Sequence, residues 1–349
     1  MKKVVLLILA VIMTGISNAQ KTFRLNHFVD SVLTKRYWRA NIDTGYVTRP
    51  TTKWTLTGRM NVSGARITAE GRQPHHFESK LQADYKATLS VGVSYLGLSL
   101  NLSLNPAKLL GKYNDYEIGF RSYGKRFGYE ITYQDARNFK GWQEVDGERR
   151  DITTSDDMFR LRTLNANAYY VFNSRRFSYP AAFSHSYIQR RSAGSVLLAL
   201  SGQGQHGEVN HDTQIKFKMT NIGIGAGYGY NYVPAQSWLL HISALPTFIV
   251  YTNTSITMDD TEVPLHYHFP EVIITGRGAI VKQIGRNKFA GFSMVYHFTG
   301  IGHKDDLSVH NEKWLTRLYF GFRLYTPSAR APPGRDRIGA LSGGRHLHR

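Results

Sequence analysis

Apolar and polar side chains alternate over several long segments of this sequence. The clearest are Trp54–Val62, Leu81–Val93 and Leu96–Leu104, and shorter runs occupy Tyr116–Ser122 and Phe127–Tyr133. A period of two puts successive side chains on opposite faces of a β-strand, so each segment has one apolar and one polar face. The pattern therefore predicts an all-β chain.

Two antiparallel architectures have strands of this kind. A soluble sandwich buries the apolar faces between two sheets, whereas a transmembrane barrel turns them outward to lipid and keeps polar groups in its lumen. The segments reach the roughly 10 residues that a tilted membrane strand needs. Their polar faces carry charged residues, and Tyr and Trp recur near their ends, where interfacial girdles lie. These features favour an antiparallel transmembrane β-barrel.

The stretch NIGIGAGYGYNY, residues 221–232, has glycine at every second position. A dinucleotide-binding loop requires a third glycine where this chain has Tyr228, so that motif fails. As a strand, the stretch would turn Ile222, Ile224 and the alternate residues that follow them to lipid, and the glycines to the lumen. Glycine there leaves room for a bulky lumen side chain or allows sharp strand coiling.

The connections between segments set the strand count, because such barrels alternate tight periplasmic turns with long outer loops. Tight connections are predicted at Val93–Leu96, Tyr123–Arg126, Asn173–Arg176, Tyr232–Ser237 and Gly285–Lys288. Long ones are predicted at Gly64–Lys80, Asn105–Asn114, Ala136–Asp157, Gln205–Lys216, Asn253–Pro270 and Gly300–Glu312.

Short and long connections alternate only if Phe177–Arg191 is not a full crossing but an inward or periplasmic segment. Pro180 supports this interpretation because proline interrupts a ladder. The count is then about 12 strands, from near Lys53 to Lys313–Tyr325. The alternation slips near Arg162, so we expect a bulge within Met158–Phe172.

The two ends of the chain have different compositions. Residues 1–19 read as a secretory signal peptide, with two lysines, a ten-residue apolar run and a small-residue cleavage site. Residues 20–52 are predicted to be a periplasmic segment, with a short amphipathic helix at Phe23–Leu33. The barrel is expected over residues 53–326. Residues 327–349 form a basic tail, rich in Pro and Gly, that is predicted to be disordered.

Four stretches resemble one protein family. They are DTGYVTRP (Asp43–Pro50), SYGKRFGYEITYQ (Ser122–Gln134), YYVFNSRRFSYPAAF (Tyr169–Phe183) and QRRSAGS (Gln189–Ser195). They resemble domain of unknown function 4421, an outer-membrane β-barrel family of Bacteroidota, which are Gram-negative bacteria. The resemblance covers most of residues 25–326. It implies a location in the cell outer membrane and no particular activity.

Charge and composition narrow the partners. The formal charge is +19, of which the signal carries +2 and the tail +4, so residues 20–326 keep +13. For an exported protein this favours anionic lipid headgroups or anionic solutes and not nucleic acid. The expected partners are outer-membrane lipid and lipopolysaccharide, the barrel-assembly machinery and a possible periplasmic or membrane protein. There are no cysteines, and we predict no cofactor.

Two kinds of histidine site were considered. His75-His76 and His266-x-His268 lie in predicted outer loops, where no third metal ligand is evident beyond loop carboxylates such as Asp259, Asp260 and Glu262. We expect solvated histidines and no metal site. An outer-membrane lipid hydrolase would need a Ser–His pair at the lipid face, but the pairs His241/Ser243 and His297/Ser293 are predicted to face the lumen.

The polar faces supply ten candidate lumen charges, six basic and four acidic. They are Arg59, Asp84, Lys86, Asp115, Glu117, Arg121, Glu130, Arg277, Arg317 and Arg323. These charges form either a mutually paired ionic plug or a solute path with a mild preference for anions. The sequence predicts a non-enzymatic narrow or gated pore, or a structural barrel. The alternatives are an assembly or secretion partner that docks through periplasmic segments, and a lipid-modifying enzyme.

Overall fold

A computed structural model describes most of the chain between residues 34 and 324. The described residues are 34–35, 37, 40–50, 52–72, 76–96, 98–104, 116–137, 139–153, 159–210, 214–258, 261–263, 271–302 and 307–324. The predicted signal peptide, the helix Phe23–Leu33 and the tail 327–349 lie outside them. Among the described residues, no helix is long and apolar enough to span a bilayer.

The fold is an antiparallel β-barrel. Sixteen strands share one sheet, and the twelve that form the ring are β2 (Trp54–Gly71), β4 (Lys86–Tyr95), β5 (Leu98–Leu104), β6 (Tyr116–Tyr123), β7 (Phe127–Ala136), β10 (Phe159–Val171), β12 (Ala193–Asn210), β13 (Gln214–Tyr232), β14 (Trp238–Met258), β16 (Val272–Ile284), β17 (Lys288–Gly302) and β18 (Leu307–Leu324). Each pairs with the next, and β18 pairs with β2 from Leu307↔Gly71 to Leu324↔Trp54. The predicted class and strand number are confirmed, while the last strand begins at Leu307 and not at Lys313.

The four other strands of this sheet lie at one end of the ring. They are β3 (Phe77–Ala83), β8 (Phe139–Val145), β9 (Glu148–Thr153) and β15 (Thr261–Val263). We call this the extended end and the opposite one the tight-turn end. β8 leaves the wall after β7 and pairs with β3 on one side and β9 on the other. Phe139 of β8 is fully buried against Ala83, Ala136 and Leu161, so an apolar cluster lies at this end.

The expected long outer loops are largely strand, which corrects their predicted limits. Strand residues occur within Gly64–Lys80, Ala136–Asp157, Gln205–Lys216, Asn253–Pro270 and Gly300–Glu312. The segment 105–114 lies outside the described residues. Alternation fails in these parts because both faces carry polar residues, yet the backbone ladder continues, as β12 and β13 show up to Asn210↔Gln214. The predicted single strand Leu81–Val93 is also interrupted, at Asp84–Tyr85.

The ring strands turn apolar side chains outward. Exposed outward residues include Met60, Val91, Ile131, Leu198, Ile242, Ile280, Phe292 and Leu318. Buried inward residues include Thr57, Asn61, Ser90, Thr132, Gln203, Thr247 and Ser293. This is the reverse of a soluble sandwich. It fits a membrane barrel, in which lipid covers the apolar band and a ring of strands satisfies every wall peptide group.

The glycine run of β13 has the predicted orientation. Ile222, Ile224 and Tyr228 are exposed outward, whereas the glycines face the lumen. A Cβ on Gly225 would overlap the carbonyl oxygen of Pro246 and lie 2.6 Å from Cα of Thr247, so β14 passes directly over it. Gly229 instead leaves room for the Phe177 ring, since a Cβ there would lie 3.0 Å from it. The predicted room for a bulky lumen side chain is found at Gly229, and at Gly225 glycine is required by the close approach of β14.

The expected bulge in Met158–Phe172 is wrong. β10 keeps a continuous register with both neighbours, and the register shift falls instead between Ile222 and Gly223 in the β13–β14 pairing. The apparent slip in β10 has another cause. Leu161, Tyr169 and Val171 point inward and are buried in apolar clusters, so hydrophobic residues occupy both faces of this strand.

Replacing Gly225 with Ala is expected to destabilise the barrel by about 1–3 kcal/mol, because the new methyl group overlaps the backbone of β14. Ile224→Phe, one residue away on the outward face, should change stability by less than about 0.5 kcal/mol. Urea unfolding in detergent micelles measures both. A larger loss for Ile224→Phe would show that the two faces are assigned the wrong way round.

Two non-barrel segments close the tight-turn end. The first, here called the plug, is residues 173–192, and it contains a short helix α1 (Tyr179–Phe183) and β11 (Ile188–Gln189). The second, here called the strap, is residues 40–50 with Tyr37. Its strand β1 (Val47–Thr48) pairs with β11. The predicted inward segment Phe177–Arg191 is thus confirmed, with Pro180 in the first turn of α1.

Candidate functional site

A buried ionic cluster lies in the middle of the lumen. Glu130 of β7 is directly opposite Arg121 of β6, and the Arg121 Nε donates a hydrogen bond to its carboxylate. Arg277 reaches the same carboxylate from β16, with Nη2 3.1 Å from Oε2. The Glu130 and Arg277 side chains are 5% and 2% exposed. One carboxylate therefore bridges two arginines that come from separate parts of the wall.

Two more arginines enlarge this cluster. Arg59 of β2 lies opposite Tyr319 of β18, and Arg317 faces the lumen two residues before Tyr319. Arg121 and Arg317 line one cavity with Glu130 and a second cavity with Arg59. We call Arg59, Arg121, Arg277, Arg317 and Glu130 the charge cluster. With four guanidinium groups and one carboxylate, its excess charge is positive.

The lumen contains small cavities lined by side chains of the wall and the plug. Three of them, each about 20 Å³, follow one another along the barrel. The upper cavity, at the extended end, shares Asn165, His297 and Lys313 with the middle cavity. The middle cavity shares Arg121 and Arg317 with the lower cavity, which lies beside the plug. Each has room for one or two water molecules. The arrangement is a narrow, interrupted polar route that ends against the plug.

The plug is fixed to the wall by aromatic packing and polar contacts. Tyr179, fully buried, packs its ring against those of Tyr169, Phe183 and His241, with ring centres 4.6–5.2 Å apart. Its hydroxyl lies 3.0 Å from Ser243 Oγ and accepts from Arg277 Nη1 at 3.4 Å. Tyr179 therefore joins the plug directly to the charge cluster.

A second anchor involves Asn231 of β13. Its side-chain amide donates to the Ser178 carbonyl at 2.9 Å and to Gln189 Oε1 at 3.0 Å. The Gln189 amide in turn donates to the carbonyls of Arg176 and Arg191, at 2.6 and 2.8 Å. These bonds fix both arms of the plug to each other and to the wall.

Ser243, His241 and Asn231 have the connectivity of a hydrolytic triad. His241 Nε2 lies 3.0 Å from Ser243 Oγ, and its Nδ1 lies 2.7 Å from Asn231 Oδ1. A nucleophile, a base and an orienting group in this order are used by acyl-transfer enzymes. All three residues are at most 4% exposed and face the lumen, as predicted for His241 and Ser243. The other predicted pair is not joined, since His297 Nδ1 lies 3.1 Å from Thr275 Oγ1.

The lower edge of the site is formed by Arg323 and His185. Arg323 of β18 donates to the His185 carbonyl at 3.3 Å and to Gln283 Oε1 at 2.9 Å. The His185 ring packs between Phe289 and Tyr319, with ring centres 4.0 and 5.0 Å away. Burial, followed by the positive charges of Arg323 and Arg59, holds the pKa of His185 well below its usual value. The ring is therefore neutral at physiological pH.

Two of the remaining predicted lumen charges, Asp84 and Lys86, lie towards the extended end. Asp84 lies at the break between β3 and β4, where Lys140 Nζ is 3.2 Å from its carboxylate. Lys86 begins β4 near the same extended end and is half-buried. Glu117 is opposite Gln134 in the β6–β7 register. Asp115 lies outside the described residues.

Most of the paired loop histidines lie outside the described residues. Of the paired loop histidines, only His76 is described, while His75, His266 and His268 fall outside the described ranges, as do Asp259 and Asp260. Within the described part of the chain, no three His, Asp or Glu side chains are placed to hold one metal ion. The absence of a metal site stays a prediction.

The chain is similar to known proteins in sequence and in fold. The model of a family described as Domain of unknown function (DUF4421) matches residues 41–324. No curated protein matches the sequence significantly. Among solved structures, the fold is similar to the outer membrane protease OmpT from Escherichia coli, with a TM-score of 0.39 and 7% identity over 79% of this chain and 97% of that one.

Two further solved structures are similar over comparable lengths. The outer membrane protein OprG from Pseudomonas aeruginosa gives a TM-score of 0.28 and 9% identity over 79% of this chain and 99% of that one. The translocator domain of the autotransporter NalP from Neisseria meningitidis gives 0.27 and 11%, over 88% and 98%. At these identities and TM-scores, no function is carried over to this chain.

Proposed function

This chain belongs to the DUF4421 family, and we propose that it is a non-enzymatic outer-membrane barrel with a narrow, anion-preferring passage that the plug holds closed. The observation that carries this proposal is the lumen itself, where a positively charged cluster and a row of small cavities end against a separate segment of chain. In a channel, the charge lining the pore selects the ions that pass.

The way in which the plug is attached to the wall supports gating. It is joined to the wall only through its two ends, after β10 and before β12, and otherwise by side-chain contacts. Such contacts can be broken without opening any ladder of the ring. A barrel that needed only a rigid filling could use side chains of the wall alone, as small barrels do.

Outer-membrane insertion and export are part of the same proposal. The outward apolar residues and the closed pairing of the ring support a lipid environment. Residues 1–19 would direct export, and tight turns are found on the periplasmic side of such barrels. The plug and the strap would then face the periplasm of a Gram-negative cell.

Lipid modification by an enzyme is the less favoured function for this lumen. Ser243 and His241 have a suitable mutual geometry but are enclosed by the plug residues Phe177, Tyr179 and Phe183. A substrate acyl group would have to reach Ser243 Oγ, whose hydrogen-bonding position is occupied by Tyr179. We therefore interpret the Ser243–His241–Asn231 group as an anchor for the plug.

Planar-bilayer recording on the purified full-length protein tests the passage. We expect the native barrel to be silent or to open rarely. A variant lacking residues 175–190, which leaves a five-residue turn (172–174 and 191–192) between β10 and β12, should show stable conductance steps that prefer anions. Adding Arg317→Glu to that variant should reduce or reverse this preference.

The matched control is a deletion of residues 142–150 in the β8–β9 hairpin, which lies at the extended end. This deletion should leave the bilayers silent. If the plug deletion folds, as judged by heat-dependent migration on SDS gels, and the bilayers remain silent, the gated passage is wrong.

A second candidate function, docking of a periplasmic partner, is supported by the strap. β1 pairs with β11, and Tyr37 donates to the Ser186 carbonyl at 2.8 Å, so a partner that pulled on the strap would act directly on the plug. Deleting residues 20–36 should then abolish co-purification of the partner and leave the barrel folded. Retention of the partner by this deletion would contradict the docking role.

A further inference from the structure

The tight-turn end of the barrel is strongly basic. The described residues of its turns, the plug and the strap include eight arginines or lysines and a single acid, Asp43. The basic ones are Arg49, Lys125, Arg126, Arg175, Arg176, Arg190, Arg191 and Arg286. Neither terminal segment of the sequence offsets this charge, since residues 20–33 carry two basic residues and one acid, and residues 325–349 carry five arginines and one aspartate.

Five exposed arginines of this end lie on neighbouring parts of the chain. Arg126 is in the turn after β6, and its carbonyl accepts from the Val171 N–H at 2.8 Å, at the end of β10. The two arms of the plug meet the wall beside this point, because they follow β10 and precede β12, which pair with each other down to Val171↔Leu197. Each arm carries two arginines. We call the group the arginine rim, and its members are Arg126, Arg175, Arg176, Arg190 and Arg191.

One carboxylate serves this rim within the described part of the chain. Asp43 Oδ2 lies 3.2 Å from Arg176 Nε. The other four members of the rim make no salt bridge with any described residue, and all four are exposed. The rim therefore presents positive charge to its surroundings, and a partner that supplies phosphate or carboxylate oxygens would balance it.

An aromatic group lies beside the rim on the outward face of the wall. The Phe127 and Tyr170 ring centres are 4.8 Å apart, and those of Tyr170 and Phe172 are 5.0 Å apart. Phe127 is 58% exposed and Phe172 is 61% exposed. Aromatic rings at the ends of barrel strands lie where the hydrocarbon layer meets the lipid headgroups. Arg126, which directly precedes Phe127, is then at the level of the headgroups.

We propose that the arginine rim and these three rings form a docking surface for an anionic phospholipid of the adjoining leaflet. Guanidinium groups bind phosphate oxygens through paired hydrogen bonds, and clustered basic residues at a membrane surface attract anionic lipids. An acidic protein would also find the charge, but it would not meet rings that face the hydrocarbon layer. The inference rests on the proposed insertion into a membrane and is independent of the proposed passage.

The docked lipid would also hold the plug in place. Arg176 belongs to the first arm and Arg191 to the second, and their guanidinium carbons lie 5.0 and 6.0 Å from the centre of the Tyr46 ring of the strap. A headgroup bound to the rim therefore meets both arms beside the strap. A ligand that binds only this arrangement stabilises it by mass action, so we expect anionic lipid to favour the seated plug.

Native mass spectrometry of the full-length protein, released from neutral detergent micelles, tests the surface. The micelles are titrated with phosphatidylglycerol or with phosphatidylcholine, and retained lipid is counted. We expect half-saturation by phosphatidylglycerol at a concentration at least about tenfold lower than by phosphatidylcholine. The double variant Arg126→Gln/Arg175→Gln should raise that concentration by about tenfold or more. Phe172→Ala should raise it by about threefold, because it removes an apolar contact with the lipid.

The matched control is Arg150→Gln, since Arg150 is exposed at the extended end and pairs with Glu148 at 3.5 Å. It should leave the titration unchanged. Equal retention of the two lipids, or equal effects of Arg150→Gln and the double variant, would overturn the surface. Displacement of the lipid by glycerol 3-phosphate at equal concentration would replace it with a site for free phosphate. Stronger displacement by hexaglutamate would replace it with a site for an acidic protein.

This outcome is separable from that of the bilayer experiment. Preference for phosphatidylglycerol together with silent plug-deleted barrels would leave the lipid surface in place and end the gated passage. Conductance by the plug-deleted barrel together with equal retention of both lipids would do the reverse.

Discussion

Glu130→Gln is expected to destabilise the barrel by about 3–5 kcal/mol, because it removes the carboxylate from a buried cluster of four arginines. Glutamine keeps the shape of the side chain, so packing is preserved and the loss is electrostatic. The Arg121 and Arg277 guanidiniums would lose the carboxylate that they share. The free energy of unfolding from urea titration in micelles measures the effect.

Glu208→Gln is the matched control. Glu208 lies 3.9 Å from Arg162 near the extended end, and both side chains are about one-third exposed. Exposed pairs of this kind contribute only about 0–1 kcal/mol. In a double variant, Arg277→Met should recover part of the stability that Glu130→Gln loses, since one unpaired charge is then removed. A loss for Glu130→Gln as small as that for Glu208→Gln would contradict the buried cluster.

Tyr179→Ala is the second change with a large expected effect, about 3–5 kcal/mol, because it removes a fully buried aromatic ring from the plug. The contacts of this ring are to Tyr169, Phe183 and His241, and its loss also removes one of the two hydrogen-bond partners of the Ser243 hydroxyl. The plug should detach before the ring of strands unfolds, since no ladder bond passes through Tyr179.

Limited trypsin digestion separates these two events. The plug carries exposed Arg190 and Arg191, so detachment should raise the rate of cleavage there while the barrel keeps its heat-dependent migration on SDS gels. Tyr179→Phe keeps the ring and loses only the hydroxyl, so it should cost about 1–3 kcal/mol and leave the plug protected. Equal cleavage of Tyr179→Ala and the native protein would show that Tyr179 does not hold the plug.

The wall of the barrel was predictable because lipid imposes a simple pattern. Along Trp54–Val62 or the glycine run of β13, every second side chain meets hydrocarbon. This alternation can be recognised in the sequence of one strand, whichever strand pairs with it. Pro180 marked the segment that leaves the wall. Beyond the hydrocarbon layer the pattern ends, so strand extensions such as β2 up to Gly71 could not be distinguished from loops.

The contents of the lumen were less predictable, since they depend on which strands face each other across the ring. Glu130 and Arg121 are neighbours on paired strands, but Arg277 reaches Glu130 from 147 residues away. Asn231, Tyr179 and Gln189 were not singled out, because an isolated amide or phenol carries no charge pattern. One signal was available: three of the four stretches that carry the family resemblance cover the strap and parts of the plug, and the remaining one covers the Glu130 strand.

The contacts of His185 have a consequence for the order in which this molecule is assembled. Its carbonyl accepts from Arg323, and its ring packs on Phe289 and Tyr319, all of which lie on the last two strands and follow His185 by more than 100 residues. The His185 end of the plug can therefore be seated only once β17 and β18 are in the wall, so this part of the plug is fixed as the barrel closes.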